Sequence, residues 1–351
     1  MQARYLSLSP NNLVRIILGQ RLPSDSESDN VYTRAAALLR EWIAGGILQQ
    51  EPASSLYAYF QKFRVPDTGQ VLERKGFIGL GAVEDYSAGV VHRHEQTLSG
   101  PKKDRRAVLD HTRAHFGQIF MLYPDLELAV DKLLDRTAAG PPITSVEDED
   151  GVTHRLWKIS DSETIQRIAQ LMRDKKLLIA DGHHRYETAL AFRNENPGLP
   201  AAGRVMMTFV NMHSPGLEIL ATHRVVKGLA GFDGAVLPGR KLASLDELRQ
   251  VFRTAAPERI RIGMAFSSGE VRLFERARGP GELDVRVLHE ELLGRALGIS
   301  DEAVRDEKNI EYVRGLDAAV SKVREGAATT TGTGERRSTL STGSPAGDAS
   351  R

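Results

Sequence analysis

The stretch from Leu177 to Leu190 constrains the fold more than any other part of this sequence. It begins with four apolar residues, which predict a short buried strand, and Asp181-Gly182 then predicts a tight turn. After the turn, Tyr186, Ala189 and Leu190 recur at the spacing of one helix face. This strand–turn–helix unit predicts an α+β or α/β protein whose main site lies at the carboxyl end of the strand.

The first turn of the predicted helix carries His183, His184 and Arg185. The first N–H groups of a helix have no partners within the helix and carry partial positive charge, so that end of a helix attracts anions. Arg185 adds a bidentate donor for phosphate or carboxylate. A plain helix cap would account for Asp181 and Gly182 but not for the three residues that follow. The motif therefore favours a functional site.

The composition of the 351-residue chain narrows its classes of partner. Hydrophobic residues make up 41% and charged residues 26%, and the formal net charge of +1 gives no general attraction to nucleic acid or anionic membranes. Cysteine is absent, which removes disulfides, thiolate metal ligands and cysteine nucleophiles. No apolar run is long enough to span a bilayer and no secretory signal is visible, so we expect a cytoplasmic protein without a membrane partner.

Three pairs of strand-like segments predict β-hairpins, at residues 56–83, 143–159 and 260–274. A helix is predicted to begin after Asp29 or Asn30. Together these elements predict mixed β-sheets with flanking helices. The turn of the middle hairpin is polar and is interpreted as a solvated tip, with Asp148, Asp150, His154 and Arg155.

Several polar clusters elsewhere have the composition of a site rather than of plain surface. They are His94 and Glu95 in a loop, Lys102, Arg105 and Arg113 in a basic helical segment, Asn211 at a strand end, and Thr222, His223 and Arg224 in the next strand. We expect His94 and Glu95 to be catalytic, and the other residues to contact nucleotide or phosphate.

Metal binding is the sharpest alternative use of these histidines and carboxylates. None of the usual ligand spacings occurs, and adjacent His183 and His184 point about 100° apart on a helix, so no resident metal site is predicted. Mg²⁺ carried in with a nucleotide is the expected cofactor, because it needs only one or two carboxylates besides the phosphates. A metal-dependent hydrolase stays an open alternative.

The segment Asp181-Gly182-His183-His184-Arg185-Tyr186-Glu187-Thr188-Ala189 resembles the signature of an uncharacterised family, domain of unknown function number one thousand and fifteen. Further motifs agree in order, among them His94-Glu95-x-Thr97, Gly100-Pro101-Lys102-x-Asp104-Arg105, Thr112-Arg113-Ala114, Asp148-x-Asp150-Gly151, Val210-Asn211-Met212 and Thr222-His223-Arg224. The resemblance runs from about Asn11 to about Arg324, so the chain is identified as a member. The family has no established activity.

The strand–Asp-Gly-His-His-Arg–helix unit, around residues 177–195, also resembles the nucleotide-binding motif of the ParB/sulfiredoxin superfamily. In that motif a Gly-x-x-Arg turn at a helix N-terminus holds nucleotide phosphates. Sulfiredoxin's own chemistry needs a cysteine at the motif, which this chain lacks. The resemblance leaves open relatives that hydrolyse CTP or transfer phosphate from a nucleotide to a small molecule.

The family resemblance also implies a division of the chain. We expect an N-terminal α+β half at 1–137, a C-terminal half carrying the motif at 138–325, and a disordered low-complexity tail at 326–351. Family members begin with a further segment and continue past Arg324. The first segment is therefore expected to be missing here, and the tail to be either a natural disordered tail or the product of a frameshift near Arg324.

These observations predict a nucleotide-binding enzyme, a phosphotransferase or NTPase, whose partner is a nucleotide or a phosphorylated small molecule. Gly182 and Arg185 would bind phosphate, Asp181 would orient a histidine or hold Mg²⁺, and His183 or His184 would transfer a proton. The alternative from another class is a nucleotide-switched, ParB-like or DNA-associated binding module, which the near-neutral charge disfavours. The sequence leaves the oligomeric state open.

Overall fold

A computed structural model describes residues 2–66, 68–93, 99–218, 222–229, 236–305, 309–328 and 338–342. Within these residues the protein combines helices with two β-sheets, so the predicted mixed α and β class with β-hairpins and flanking helices is confirmed. His94 and Glu95, both predicted to be catalytic, lie outside the described residues.

The helices are α1 (Gln2–Leu8), α2 (Val14–Ile17), α3 (Val31–Ala44), α4 (Ser99–Thr112), α5 (Ala129–Thr137), α6 (Ser162–Met172), α7 (His183–Glu195), α8 (Leu245–Arg253), α9 (Asp284–Val287), α10 (Asp301–Arg305) and α11 (Leu316–Ala328). A π-helical segment at Leu288–Ala296 follows α9, and 3₁₀ turns lie at Tyr86–Ala88 and Pro200–Gly203.

The strands are β1 (Leu56–Arg64), β2 (Val71–Ala82), β3 (Val91–His92), β4 (Ile119–Tyr123), β5 (Thr144–Glu147), β6 (Thr153–Ile159), β7 (Leu177–Asp181), β8 (Arg204–Asn211), β9 (Thr222–Val226), β10 (Arg240–Leu242), β11 (Arg259–Phe266), β12 (Val271–Ala277), β13 (Ile310–Arg314) and β14 (Ser338–Thr342).

The larger sheet has eight strands in the order β3-β7-β4-β8-β2-β1-β6-β5. It is mixed, because β3 pairs in parallel with β7 and β4 with β8, whereas β7 is antiparallel to β4 and β2 to β8. The predicted hairpins at 56–83 and 143–159 are confirmed as β1–β2 and β5–β6. Fully buried residues of this sheet, including Met121 and Met207, form one core with Tyr186 and Ala189 of α7.

The second sheet has six strands in the order β10-β12-β11-β14-β9-β13, and every neighbouring pair is antiparallel. The predicted hairpin at 260–274 is confirmed as β11–β12. Its core contains Ile260, Ile262 and Met264, which are packed against Leu288 and Leu292 of the π-helical segment.

The disordered tail expected at 326–351 stays a prediction, and the structure describes only residues 326–328 and 338–342 of this segment. The last helix, α11, extends to Ala328, and residues 338–342 form β14, which pairs with both β11 and β9. The sequence of β14 is Ser-Thr-Leu-Ser-Thr. A strand forms its ladder through backbone groups, and threonine favours the extended conformation, so pairing does not need a run of apolar side chains.

The chain divides into two compact units, one formed by Met1–Phe63 with Glu73–Leu217 and one by Arg64–Leu72 with Glu218–Arg351. This division differs from the expected boundary at residue 137. Strands from both sides of that boundary, β4 before it and β7 and β8 after it, are hydrogen-bonded neighbours in the eight-stranded sheet. A cut at residue 137 would therefore separate strands of one sheet.

Local sequence signals set several helix starts. The side chain of Asn30 accepts hydrogen bonds from the backbone N–H groups of Tyr32 and Thr33, and Thr33 completes a capping box at α3. The carboxylate of Asp161 accepts from Thr164 at the start of α6. No helix among the described residues has both the length and the apolar character needed to cross a membrane.

Candidate functional site

The turn between β7 and α7 is built by a glycine in a conformation that other residues rarely adopt. Gly182 has φ +96° and immediately precedes the helix, as the Asp-Gly pattern predicts. Asp181 does not cap α7: its Oδ2 accepts a 2.5 Å hydrogen bond from Arg185 Nη2 instead. Capping therefore does not account for Asp181, and the turn presents an ion pair at the strand end.

Two glycines make room for the Arg185 side chain. A Cβ atom added to Gly182 would lie 2.9 Å from Arg185 Nε, and one added to Gly117 would lie 3.1 Å from Arg185 Cδ and Nη1. Any larger side chain at either position would have to displace the guanidinium. The backbone at Gly117 and Gly182 therefore fixes where Arg185 lies.

Arg185 lines a cavity of about 420 Å³. Its polar lining comprises Asp104, Arg105, His115, Arg185 and Thr188. Its other lining residues are mostly apolar, namely Ile17, Leu18, Val108, Leu109, Ala114, Phe116 and Gly117. The apolar run near the N-terminus thus forms one wall, in part through α2, and α4 and α7 supply the charged groups.

The basic start of α4 divides between two roles. Arg105 faces the cavity, whereas Arg106 forms ion pairs with Asp110 and Glu195. The Arg106 guanidinium also lies 5.4 Å from the centroid of the Phe192 ring. Arg105 therefore belongs to the candidate site, and Arg106 ties α4 to α7.

The acidic lining residue, Asp104, is compensated by groups beside the cavity. Its Oδ1 accepts hydrogen bonds from Tyr32 Oη at 2.8 Å and from Arg21 Nη2 at 2.9 Å. With Asp104 paired in this way, Arg105 and Arg185 leave the cavity lining positively charged. Such a lining favours an anionic ligand.

His115 also lines the cavity, although no motif in the sequence marks it. Burial lowers the pKa of its imidazole, so the ring is neutral at pH 7 and can accept a proton. It follows α4, two residues after Arg113. Its place in the lining depends on the packing of segments that are distant in the chain, so no local pattern identifies it.

The remaining residues of the predicted motif are placed differently. His183 is 4% exposed and is packed in the interior, and His184 is half-buried. Of the residues in the β7–α7 turn, the cavity lining includes only Arg185. The backbone of Lys102 lies in α4. The geometry therefore joins Arg105 and Arg185, while the predicted catalytic roles of Asp181, His183 and His184 stay predictions.

Arg113, predicted to bind phosphate, directly follows α4 and has a left-handed conformation with φ +55°. Its guanidinium lies 5.4 Å from the centroid of the Phe192 ring, on which Arg106 also packs. This arrangement is a cation–π contact between α4 and α7. Arg113 is not among the residues that line the cavity.

Asn211, also predicted to contact phosphate, is fully enclosed at the end of β8. Its Nδ2 donates to the Asp125 carbonyl at 2.7 Å and to Asp131 Oδ2 at 3.0 Å, and its Oδ1 accepts from the backbone N–H of Asp125 at 3.0 Å. Burial raises the pKa of the Asp131 carboxyl, although its hydrogen bonds from Asn211 and Ser214 oppose that shift. Asn211 thus anchors the β4–α5 connection.

Thr222, His223 and Arg224, predicted to bind nucleotide, lie in β9 of the second unit. His223 is 3% exposed. The Arg224 guanidinium lies 5.5 Å from the centroid of the Tyr312 ring on the neighbouring strand β13, and burial lowers its pKa. These residues belong to the second sheet, whereas the cavity belongs to the first unit.

Among the described residues, which exclude 94–98, there is no group of three or more histidine, aspartate or glutamate side chains placed to hold a metal ion. The lining carboxylate of Asp104 and the carboxylate of Asp181, which contacts Arg185, are each paired with an arginine. A divalent ion at this site would thus rely on phosphate oxygens for most of its ligands.

A family model described as "Protein of unknown function (DUF1015)" matches residues 1–318 of the chain. The matched range includes the cavity, the β7–α7 turn and the buried Asn211. Searches of curated proteins and of solved structures found no match.

Proposed function

The chain belongs to the family described as "Protein of unknown function (DUF1015)", and we propose that it binds a nucleotide or a phosphorylated small molecule in the cavity beside Arg185. The observation that supports this proposal is the convergence of Arg105 and Arg185, from two different helices, on one cavity. Both residues were selected as phosphate ligands from the sequence. Two guanidiniums beside an apolar wall suit a ligand with a charged end and an apolar body.

The size of the cavity is compatible with such a ligand. Its volume of about 420 Å³ lies within the range of roughly 300–1,000 Å³ typical of small-molecule sites. The wall formed by Leu18, Val108 and Phe116 would contact the base or another apolar group. The phosphates would then lie against Arg105 and Arg185.

The ion pair between Arg185 and Asp181 is weak enough to give way to a phosphate. The Asp181 side chain is 73% exposed, and exposed ion pairs contribute only about 0–1 kcal/mol. A phosphate group offers more acceptor atoms and more charge than one solvated carboxylate. Asp181 therefore holds Arg185 in position until an anion binds.

Phosphoryl transfer depends mainly on positioning and on neutralising charge, so a site of arginine and histidine side chains without a cysteine or serine nucleophile suits it. His115, neutral at pH 7 because burial lowers its pKa, would accept the proton of the attacking hydroxyl or water. Mg²⁺ bound with a nucleotide would neutralise further phosphate charge, with the exposed carboxylate of Asp181 as its protein ligand. The proposed class is a phosphotransferase or an NTPase.

A thermal-shift panel tests the binding proposal. ATP, ADP, CTP and GTP would each be added with and without Mg²⁺ to the wild type, Arg185→Ala and Arg167→Ala. At about a hundred times its dissociation constant a ligand adds roughly 2.7 kcal/mol to stability, which raises the melting temperature by several degrees. We expect a shift in the wild type and a much smaller one in Arg185→Ala.

Arg167→Ala is the matched control, because Arg167 lies on α6 with Gln170 as its hydrogen-bond partner and does not line the cavity. It should shift as the wild type does. An equal shift in Arg185→Ala and the wild type would reject this site. No shift with any nucleotide, in protein that melts cooperatively, would reject nucleotide binding.

A further inference from the structure

A second polar cluster lies on β1, β6 and the β5–β6 turn. In the strand order of the eight-stranded sheet, these strands are at the opposite end from β7. Gln61 of β1 is directly opposite His154 of β6, and Tyr59 is opposite Leu156. Residues two apart on a strand face the same side, so Tyr59, Gln61 and His154 share one face. Tyr59 and His154 are diagonal neighbours, within reach of aromatic side chains.

These residues form a continuous hydrogen-bonded chain. Tyr59 Oη lies 2.6 Å from His154 Nδ1, and His154 Nε2 lies 2.8 Å from Asp148 Oδ2. The two rings are stacked, with centroids 5.9 Å apart and planes inclined by 12°. A carboxylate, an imidazole and a hydroxyl in this order have the connectivity by which a carboxylate–histidine pair activates a nucleophile.

Neighbouring groups fix the direction of the hydrogen bonds. Arg74 donates from Nε and Nη2 to Gln61 Oε1, at 2.9 and 2.6 Å, so the Gln61 amide turns its Nε2 toward His154 Nδ1 at 3.4 Å. An amide N–H₂ group can only donate, and His154 Nδ1 must therefore be the acceptor. The His154 proton then lies on Nε2 and is donated to Asp148, while the Tyr59 hydroxyl donates to Nδ1.

Asp148 is held in place by the hairpin turn itself. Its Oδ1 accepts hydrogen bonds from the backbone N–H groups of Asp150 and Val152, both at 2.9 Å. The hydrogen bond from His154, with those backbone groups, lowers the pKa of the Asp148 carboxyl. An ionised Asp148 keeps His154 in the tautomer that accepts the Tyr59 proton. The tip residues Asp148 and Asp150 are exposed, as expected from the sequence, and the Asp148 side chain is in addition held by hydrogen bonds.

The surroundings of Tyr59 favour proton transfer during a reaction over a standing phenolate. Burial raises the pKa of the Tyr59 phenol, although the positive charge of Arg74 opposes the shift. The hydroxyl is thus protonated at neutral pH, and His154 would remove the proton as the oxygen attacks. The charge of Arg74 would stabilise the negative charge that develops.

We propose that Tyr59, His154 and Asp148 form a second chemical site, at which the Tyr59 hydroxyl acts as a nucleophile toward acyl esters. The juxtaposition of phenol, imidazole and carboxylate on one sheet face carries this inference. It is independent of the cavity beside Arg185. Tyr59 is the nucleophile, His154 the general base, and Asp148 the positioning residue.

The reaction balances without any further reagent. Tyr59 Oη forms a bond to the ester carbonyl carbon while its proton passes to His154 Nδ1. The carbon–alkoxide bond breaks, and the alkoxide takes that proton and leaves as an alcohol. Water then attacks the acyl-tyrosine with His154 again as base, which releases the carboxylic acid and restores the Tyr59 hydroxyl.

An aryl sulfonyl fluoride tests the nucleophile directly. Tyr59 Oη would displace fluoride from sulfur and form a stable sulfonate ester, with its proton accepted by His154. Peptide mass spectrometry would measure the rate of labelling at each tyrosine in the full chain. We expect Tyr59 to be labelled, and His154→Gln to slow that labelling by about a hundredfold, a typical contribution of a general base. Asp148→Asn should slow it less.

Tyr57 is an internal control on the same strand face. Its hydroxyl donates a hydrogen bond to the carboxylate of Glu51 rather than to an imidazole. Burial together with Glu51 raises the pKa of Tyr57 to about 12. Its labelling should be slow in the wild type and unaffected by His154→Gln. This comparison separates activation by His154 from general exposure of tyrosines.

Hydrolysis of p-nitrophenyl acetate provides a second readout. Tyr59→Phe keeps the ring and its packing but removes the hydroxyl, so it should melt like the wild type and lose the ester hydrolysis that Tyr57→Phe retains. Equal labelling of Tyr59 and Tyr57, or unchanged Tyr59 labelling in a folded His154→Gln protein, would overturn the proposal. So would ester hydrolysis that is the same in Tyr59→Phe and the wild type.

Discussion

The segments at the ends of β7 and β8 each carry a polar residue with the same predicted role, but the two residues have different surroundings in the structure. After β7, Arg185 reaches a cavity that also contains Arg105. At the end of β8, Asn211 is 0% exposed and uses both atoms of its amide within the chain. Both residues were predicted to contact phosphate, yet only Arg185 has space for a ligand beside it.

The difference shows what decides between a ligand site and a structural connection. A buried amide must satisfy its donors and acceptor internally, because leaving them unpaired is costly. Asn211 does so with Asp125 and Asp131. The Arg185 guanidinium is held by a single exposed carboxylate and by two glycines, which leaves it able to exchange partners.

The largest expected effect is on stability at Asn211. Asn211→Ala would leave the Asp125 N–H and the Asp131 carboxylate without their buried partner, so the free energy of unfolding should fall by about 2–4 kcal/mol. Urea denaturation measures this. Asn194→Ala, at an exposed position that accepts only from Arg193, is the control and should change stability by less than about 0.5 kcal/mol. Equal effects at the two positions would refute the anchoring role of Asn211.

A pair of glycine substitutions sharpens the comparison at Arg185. Gly182→Ala adds both backbone strain at φ +96° and a close contact with Arg185, and should cost roughly 1–2 kcal/mol of stability. Gly117→Ala adds the contact without left-handed strain. Both should weaken anion binding several-fold in titration calorimetry with inorganic triphosphate. Unchanged affinity in Gly117→Ala would mean that the placement of Arg185 does not matter for binding.

The smallest expected effect is a pH dependence at His115. Burial lowers its pKa in the folded state below the ordinary value of 6.5, so the folded chain binds fewer protons than the unfolded chain as pH falls below 6.5. The stability contributed by neutral His115 is present above that pH and is lost progressively below it. The free energy of unfolding, measured by urea denaturation, should therefore fall more between pH 7.5 and pH 5.5 in the wild type than in His115→Gln. The difference between the two proteins should be less than about 1 kcal/mol. An identical pH response in the two proteins would contradict a buried His115.

The sequence predicted the elements whose signals are local. The hairpins at 56–83, 143–159 and 260–274, the cap at Asn30 and the β7–α7 turn depend on neighbouring residues and are confirmed. Family membership, predicted from ordered motifs, is confirmed as well. The division of the chain into two units and the pairing of β14 both depend on contacts between segments that are distant in the sequence. Local patterns do not encode such contacts.

For the candidate site too, the sequence predicted the chemistry of individual residues but not which residues lie together. Arg185 and Arg105 have the right chemistry in sequence, but their convergence depends on the packing of α4 against α7. The role of Asn211 depends on Asp125 and Asp131, more than 75 residues earlier in the chain. His115 and the Tyr59–His154 contact gave no sequence signal strong enough to separate them from ordinary surface residues.

A double-mutant cycle on Arg105 and Arg185 tests the central claim most directly. Titration calorimetry with inorganic triphosphate would compare the wild type, Arg105→Ala, Arg185→Ala and the double variant. Each single change should weaken binding by about 10- to 100-fold, as expected for a charge-assisted hydrogen bond. If both guanidiniums hold one anion, the double variant should lose less than the sum, with a coupling energy above about 0.5 kcal/mol. Fully additive losses, or unchanged affinity in either single variant, would contradict a shared phosphate site.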